Sequence, residues 1–277
     1  MVKTICLDAL MKISIAQINC KAGDLPANRE KILQYIIVAA DQESDLIVFP
    51  EMADTGYSMN DASLAEDWHD GHTFMQDLRL AADHHNIAII CGLAEREQKQ
   101  LYNSVLAIDK DGRLLQKYRK THLFSLAGED EVLTAGDEFI VTAINQYQAK
   151  EPIVRVGLMI CYDVRFPEMC RKLVAEKFAD ILVVVAAFPF PRLEHWKTLT
   201  ACRAMENQVF VVAANRVGTD KDLTFCGSSS IIDPFGTRIV AASETHEILL
   251  TQEIDLNRIQ EARANMNLLQ DRRTDLY

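Results

Sequence analysis

The sequence predicts an α/β fold in a single domain, on three observations. Strand-like apolar runs and helical patterns are interspersed along the whole chain. No Gly/Ser/Pro-rich linker divides it, and no short repeat is present. The most apolar run, Ile181-Leu-Val-Val-Val-Ala-Ala187, has the composition of a strand buried on both faces of a central sheet.

Composition narrows the functional classes. Hydrophobic residues make up 49% of the 277 positions and charged ones 25%, which permits a sizeable core and argues against disorder. There are 29 basic residues against 40 acidic ones, a net charge of −11, and no basic stripe emerges. That balance speaks against a nucleic-acid partner and against an anionic membrane surface. Cysteines stand at 6, 20, 91, 161, 170, 202 and 226, an odd count without a C-x-x-C pair. Such usage fits a reducing compartment, and with no apolar run of membrane-spanning length and no evident secretory signal the expectation is cytoplasmic.

The elements follow in order. Residues 1–11 precede the first clear pattern and are expected to be an extension or an alternative start, with the domain at 12–277. Lys12–Ile18 alternates as a strand, and a helix follows from about Ala27 to Asp41 with Ile32, Tyr35, Ile36 and Ala39 at helical spacing. Leu46–Phe49 is a buried strand that runs into Pro50-Glu51. Residues 52–70 read as a loop, and Thr73–His85 as a helix leading to a strand at Ile87–Cys91. Leu101–Ile108 and Leu114–Lys120 are strands joined by the turn Asp109-Lys-Asp-Gly112. Residues 121–139 carry turn chemistry and acids. Val154–Ile160 is a strand, and Pro167 falls in the first turn of a helix reaching about Lys177. After the 181–187 strand come a helix over Leu193–Asn207 and a strand over Val209–Asn215. Short strands at 228–232, 238–242 and 248–254 precede a helix at about Asn257–Leu269, which opens the C-terminal tail.

Three strands end on chemistry. Glu51, Lys120 and Cys161 each stand at or just past a strand's last residue, where rigid elements aim side chains at one mouth. The turn at Cys161 follows the logic of a nucleophile elbow, and the next helix's N-terminus is expected to lower the thiol pKa. A thiol, a carboxylate and an ammonium form a complete set for attack on an amide or nitrile. The carboxylate takes the thiol proton and hands it to departing ammonia, while the ammonium and the Tyr162 N–H hold the oxyanion.

The sequence resembles the nitrilase superfamily of carbon–nitrogen hydrolases. The likeness lies in Leu46-Ile-Val-Phe-Pro-Glu-Met-Ala-Asp-Thr-Gly-Tyr57, Tyr118-Arg-Lys-Thr-His-Leu-Phe124 and Gly157-Leu-Met-Ile-Cys-Tyr-Asp-Val-Arg-Phe-Pro-Glu168. It extends to Arg203-Ala-Met-Glu-Asn-Gln208, Asn215-Arg-Val-Gly218 and the tail's Arg272–Tyr277. The resemblance implies an α-β-β-α sandwich of the nitrilase type, which contributes to a four-layer arrangement. It also implies a Glu51-Lys120-Cys161 triad, a homodimer or higher homo-oligomer, and a second glutamate, Glu129, with Glu131 as its rival.

Tyr57 and Phe188 are expected to line a pocket. Arg165 is open between gripping a substrate carboxylate and a structural pairing with Glu168 or another acid. Trp196, His195 and Phe124 are expected to pack. No metal-ligand spacing and no glycine-rich phosphate loop is present, so neither a metal nor a nucleotide cofactor is expected. The expected activity is a cofactor-free amidase working through a thioester, with small ω-amides of dicarboxylic acids favoured by the resemblance at His195-Trp196, Arg203-Ala and Glu206-Asn-Gln208. N-carbamoyl amide hydrolysis is the alternative. A silent binding protein and a Cys–His hydrolase using His122 stand behind it.

Overall fold

The computed structural model describes residues 10–58, 62–69, 71–145, 153–220 and 222–276. Its strands begin with β1 (Leu10–Gln17), β2 (Leu46–Val48), β3 (Glu66–Asp67), β4 (Ala88–Glu97), β5 (Gln100–Ile108) and β6 (Leu114–Arg119). They continue with β7 (Val141–Asn145), β8 (Ile153–Ile160), β9 (Ile181–Ala186) and β10 (Phe210–Asn215). A small hairpin, β11 (Thr219–Asp220) with β12 (Leu223–Thr224), is followed by β13 (Ser230–Ile232), β14 (Arg238–Ala241) and β15 (Ile248–Asp255). The helices are α1 (Leu25–Asp41), α2 (Phe74–His85), α3 (Glu129–Val132), α4 (Pro167–Ala175), α5 (Leu193–Asn207) and α6 (Asn257–Asn265).

Two sheets form, ordered β15-β1-β2-β4-β5-β6, with β3 beside β4, and β14-β13-β10-β9-β8-β7. They stack face to face, and strand periodicity decides what goes between them. Met11, Ile13, Ile15, Leu46, Val48, Ala88 and Ile90 enter the core shared with Val156, Leu158 and Ile160 of the second sheet. The residues between them in sequence, Ile47, Ile89 and Cys91, turn to the opposite face and meet Ile32, Ile36 and Ala39 of α1 and Leu78 and Ala82 of α2. On the outer face of the second sheet lie Met169, Leu173 and Val174 of α4 and Trp196 and Ala204 of α5. The layers therefore run α-β-β-α. No helix among the described residues is long and apolar enough to cross a membrane.

The expected elements are present with shifted edges. β1 starts at Leu10, and residues 1–9 of the expected extension lie outside the described residues. α1 begins two residues early because the Asp24 carboxylate accepts the Ala27 N–H and Pro26 fits the first turn. α6 stops at Asn265, short of Leu269, because the Gln208 side-chain amide donates to the Ala262 and Met266 carbonyls at 2.9 and 2.7 Å. The strands β3, β7, β11 and β12 and the one-turn helix α3 are additions to the expected set.

Strand direction gathers the functional residues. β2 runs parallel to β4, and β5 and then β6 are each antiparallel to their predecessor, so β6 points the same way as β2. β8, β9 and β10 are mutually parallel. The carboxyl ends of these strands carry the chemistry.

Candidate active site

Glu51 follows the end of β2, fully buried, on a turn against which β4 lies unusually close. A Cβ on Gly92 would come within 2.5 Å of the Pro50 carbonyl oxygen and 2.7 Å of Glu51 Cα, so only glycine fits there. Three donors fix the Glu51 carboxylate. Asn103 Nδ2 donates to Oε1 at 2.7 Å, Lys120 Nζ donates to the same oxygen at 2.9 Å, and the Ala187 N–H at the end of β9 donates to Oε2 at 2.7 Å.

Lys120 stands just past β6, where its ammonium also reaches Glu129 Oε1 at 2.7 Å. Glu129 opens α3, and its other oxygen accepts the Phe124 N–H at 2.7 Å. Tyr57 donates its hydroxyl to Glu129 Oε1 at 2.7 Å. Burial and then the Glu129 and Glu51 charges push the Tyr57 phenol well above its ordinary value, so it remains a donor. Of the rival glutamates, Glu129 reaches the lysine, whereas Glu131 is exposed.

Cys161 occupies the corner after β8 at φ +44°, a left-handed conformation that costs a non-glycine residue energy. The corner is braced from two sides. Asp163, fully buried, accepts the Ile160 N–H at 2.8 Å and the Tyr118 hydroxyl at 2.7 Å. From α5, Arg203 donates to the Val164 carbonyl at 2.9 Å. These bonds over-determine the turn and hold the thiol at the strand end.

The expected lowering of the thiol pKa is corrected. α4 starts only at Pro167, and a 3-10 turn over Cys161–Arg165 intervenes, so that helix's N-terminus is not at the sulfur. Burial and the Glu51 charge, which outweigh Lys120, push the Cys161 thiol well above its ordinary value. Burial alone would pull the Lys120 ammonium down; the Glu51 and Glu129 carboxylates overcome it and hold the lysine charged. Resting Cys161 is thus a protonated thiol in the field of the Glu51 carboxylate and the Lys120 ammonium. Burial pushes the unrelated Cys170 thiol up to about 12 as well. The neighbours, not resting acidity, distinguish Cys161.

His122 is engaged elsewhere. Its Nδ1 lies 2.8 Å from Asp163 Oδ1 and its ring stacks on Phe166 at 3.9 Å between centroids.

Next to Cys161 in the chain, Tyr162 and Arg165 pack with Phe124 and Phe188. The Phe124 and Tyr162 rings are 4.9 Å apart, and the Arg165 guanidinium lies 5.1 Å from the Phe188 ring and 5.9 Å from that of Tyr162. No carboxylate among the described residues is within ion-pair distance of Arg165; the pairing with Glu168 is absent. Its guanidinium instead faces His195 Nδ1 at 3.4 Å. His195 is accordingly exposed, which corrects the expectation that it packs in the core. Trp196 is fully buried, and successive helical residues point about 100° apart. Phe124 packs as expected, but on Tyr162, beside the site.

Sequence reasoning missed Asn103, Asp163 and Asn215. Asn215 Oδ1 accepts the Phe188 N–H at 2.8 Å and so fixes the wall after β9. Asp163 and Asn215 lie inside the quoted motifs, where their positions were the available signal.

The site sits in a chain whose residues 12–264 match the carbon-nitrogen hydrolase family. The protein belongs to that family and is a carbon–nitrogen hydrolase. It is 38% identical to a 2-oxoglutaramate amidase of Bacillus subtilis (strain 168), over 96% of this chain and 98% of the relative. It is 36% identical to an (R)-stereoselective amidase of a Pseudomonas species, over 95% of this chain and 92% of the relative. Among solved structures it is similar to a CN-hydrolase superfamily protein of Xanthomonas campestris, with a TM-score of 0.85, 31% identity and coverage of 96% and 98% of the two chains.

Proposed function

We propose that the protein hydrolyses the terminal amide of small dicarboxylic-acid monoamides, through a thioester on Cys161, releasing ammonia. Cys161 Sγ attacks the amide carbonyl carbon as Glu51 takes the thiol proton; the Lys120 ammonium and the Tyr162 N–H receive the developing oxyanion. When the tetrahedral intermediate collapses, the C–N bond breaks and Glu51 returns the proton to the leaving nitrogen, giving ammonia and an acyl-cysteine. Water, deprotonated by the same carboxylate, then attacks the thioester carbonyl and expels the thiol. Glu129 acts at one remove, holding Lys120 charged and in place. Tyr57, Tyr162 and Phe188 line the pocket.

The observation that carries the substrate class is Arg165. It is a half-buried guanidinium four residues past Cys161 and 5.9 Å from the ring of Tyr162, with no carboxylate of the described residues to pair with. A planar fork beside the nucleophile suits a carboxylate on the substrate's far end. The similarity to a 2-oxoglutaramate amidase supports the same choice.

The test is the product pattern across ω-amides, N-carbamoyl compounds and nitriles in a bicarbonate-free assay. The proposal expects ammonia without carbon dioxide from the ω-amides. Stoichiometric carbon dioxide from N-carbamoyl compounds, with the ω-amides untouched, would favour N-carbamoyl hydrolysis. No turnover of any compound would favour a silent binding protein.

A further inference from the structure

A second cation flanks the site and has no role in the thioester chemistry. Arg192 caps the start of α5, half-buried, with its guanidinium 5.6 Å from the ring of Phe124. Phe124 is in turn the neighbour of Tyr162, the residue after the nucleophile, and donates its N–H to Glu129. Arg192 therefore stands at the same mouth as Arg165, on the Phe124 side, and near enough to repel it.

Neither arginine has a protein counter-ion among the described residues; half-buried Arg238 and Arg263 share that lack, and what distinguishes this pair is its place beside the turn of Cys161. Several other buried or half-buried arginines of this chain have one: Arg119 has Glu95 and Glu97, Arg203 has Glu206 at 2.8 Å, and Arg216 has Asp220 at 2.5 Å. Arg192 has no carboxylate within ion-pair distance among the described residues. Its neighbour Glu194 lies instead 3.9 Å from Lys197. Two like charges held together without an anion cost energy until one arrives. A carboxylate offers about four acceptor positions and one guanidinium fills two, which leaves room for a second fork.

We propose that Arg192 is a second specificity-determining residue, gripping the far carboxylate of the substrate together with Arg165. The first turn of α5 then builds this end of the site twice over, supplying Arg192 directly and orienting Arg165 through His195. The inference rests on the ω-amide reading and adds that carboxylate selectivity is shared between two residues.

Steady-state kinetics on glutaramate and on the uncharged pentanamide test it, with glutarate as a product inhibitor. Arg192→Gln should raise KM for glutaramate and Ki for glutarate about tenfold or more, and its loss of kcat/KM on glutaramate should exceed that on pentanamide by the same factor. Arg192→Lys, which keeps the charge without the fork, should recover part of the loss. Equal losses on both amides, or an unmoved KM and Ki, would overturn the proposal. A wild-type preference for glutaramate that survives Arg192→Gln but not Arg165→Lys would overturn it while sparing the ω-amide reading. A wild-type enzyme with no preference between the two amides would remove both.

Discussion

Lys120 Nζ lies 2.7 Å from Glu129 Oε1, and neither side chain is more than 1% exposed. Since Glu51 is on the other side of the ammonium, at 2.9 Å, the buried cluster carries two negative charges against one positive. Glu129→Gln leaves Lys120 paired with Glu51, so the fold should hold and thermal stability should change little. Catalysis should still fall about a hundredfold or more, because the ammonium loses one of the two anions that fix its position and charge. Turnover of amides at near wild-type rates by the Gln variant would take Glu129 out of the machinery.

The titration of Cys161 offers a second expectation. The thiol sits above its ordinary value of 9.0 because burial and Glu51 raise it more than Lys120 lowers it. The pH midpoint of its alkylation by iodoacetamide should therefore lie above that value in the wild type. Glu51→Gln should move the midpoint down, and Lys120→Met should move it up. Although its thiol ionises more easily, Glu51→Gln should lose about a hundred- to ten-thousandfold in kcat, since no group returns a proton to ammonia. An unmoved midpoint in both variants would remove the proposed coupling.

Much of the site was legible in the chain. Glu51, Lys120 and Cys161 each stand at or just past the end of a strand-like run, and α5 has the predicted limits, Leu193–Asn207. The support of the site was not legible, because its bonds span long separations: 52 residues between Asn103 and Glu51, 45 between Tyr118 and Asp163, 27 between Phe188 and Asn215. Elements too short to show a period, such as β7 and α3, were hidden for the same local reason. Glu129 lies in an acidic stretch that reads as a turn. Only the fold brings that stretch to Lys120.

Arg165 has its own expected outcome. If its fork holds the substrate's far carboxylate, Arg165→Lys should lower kcat/KM for glutaramate about ten- to a hundredfold more than for pentanamide. An equal loss on both would mark Arg165 as a brace of the turn after Cys161.

Stability should also carry a pH signature from Asp54, three residues past Glu51. Burial, against the N–H groups of Ala94 and Thr55 and the Arg29 charge, pushes its carboxyl from 3.8 to about 7. A raised carboxyl binds more protons folded than unfolded, so its contribution is fully present below pH 3.8 and is lost as pH rises through about 7. Asp54→Asn, which keeps the oxygen that accepts both N–H bonds, should flatten the fall in melting temperature across that window by several degrees. Parallel curves for the two proteins would contradict it.

The central claim is a thioester on Cys161, and the most direct measurement is the intact mass of the protein, quenched in acid milliseconds after mixing with glutaramate. The expected result is a species heavier by the substrate less ammonia, mapped to Cys161, formed with a matching burst of ammonia and missing in Cys161→Ala. Ammonia released at wild-type rate by Cys161→Ala, with no adduct in either protein, would contradict it.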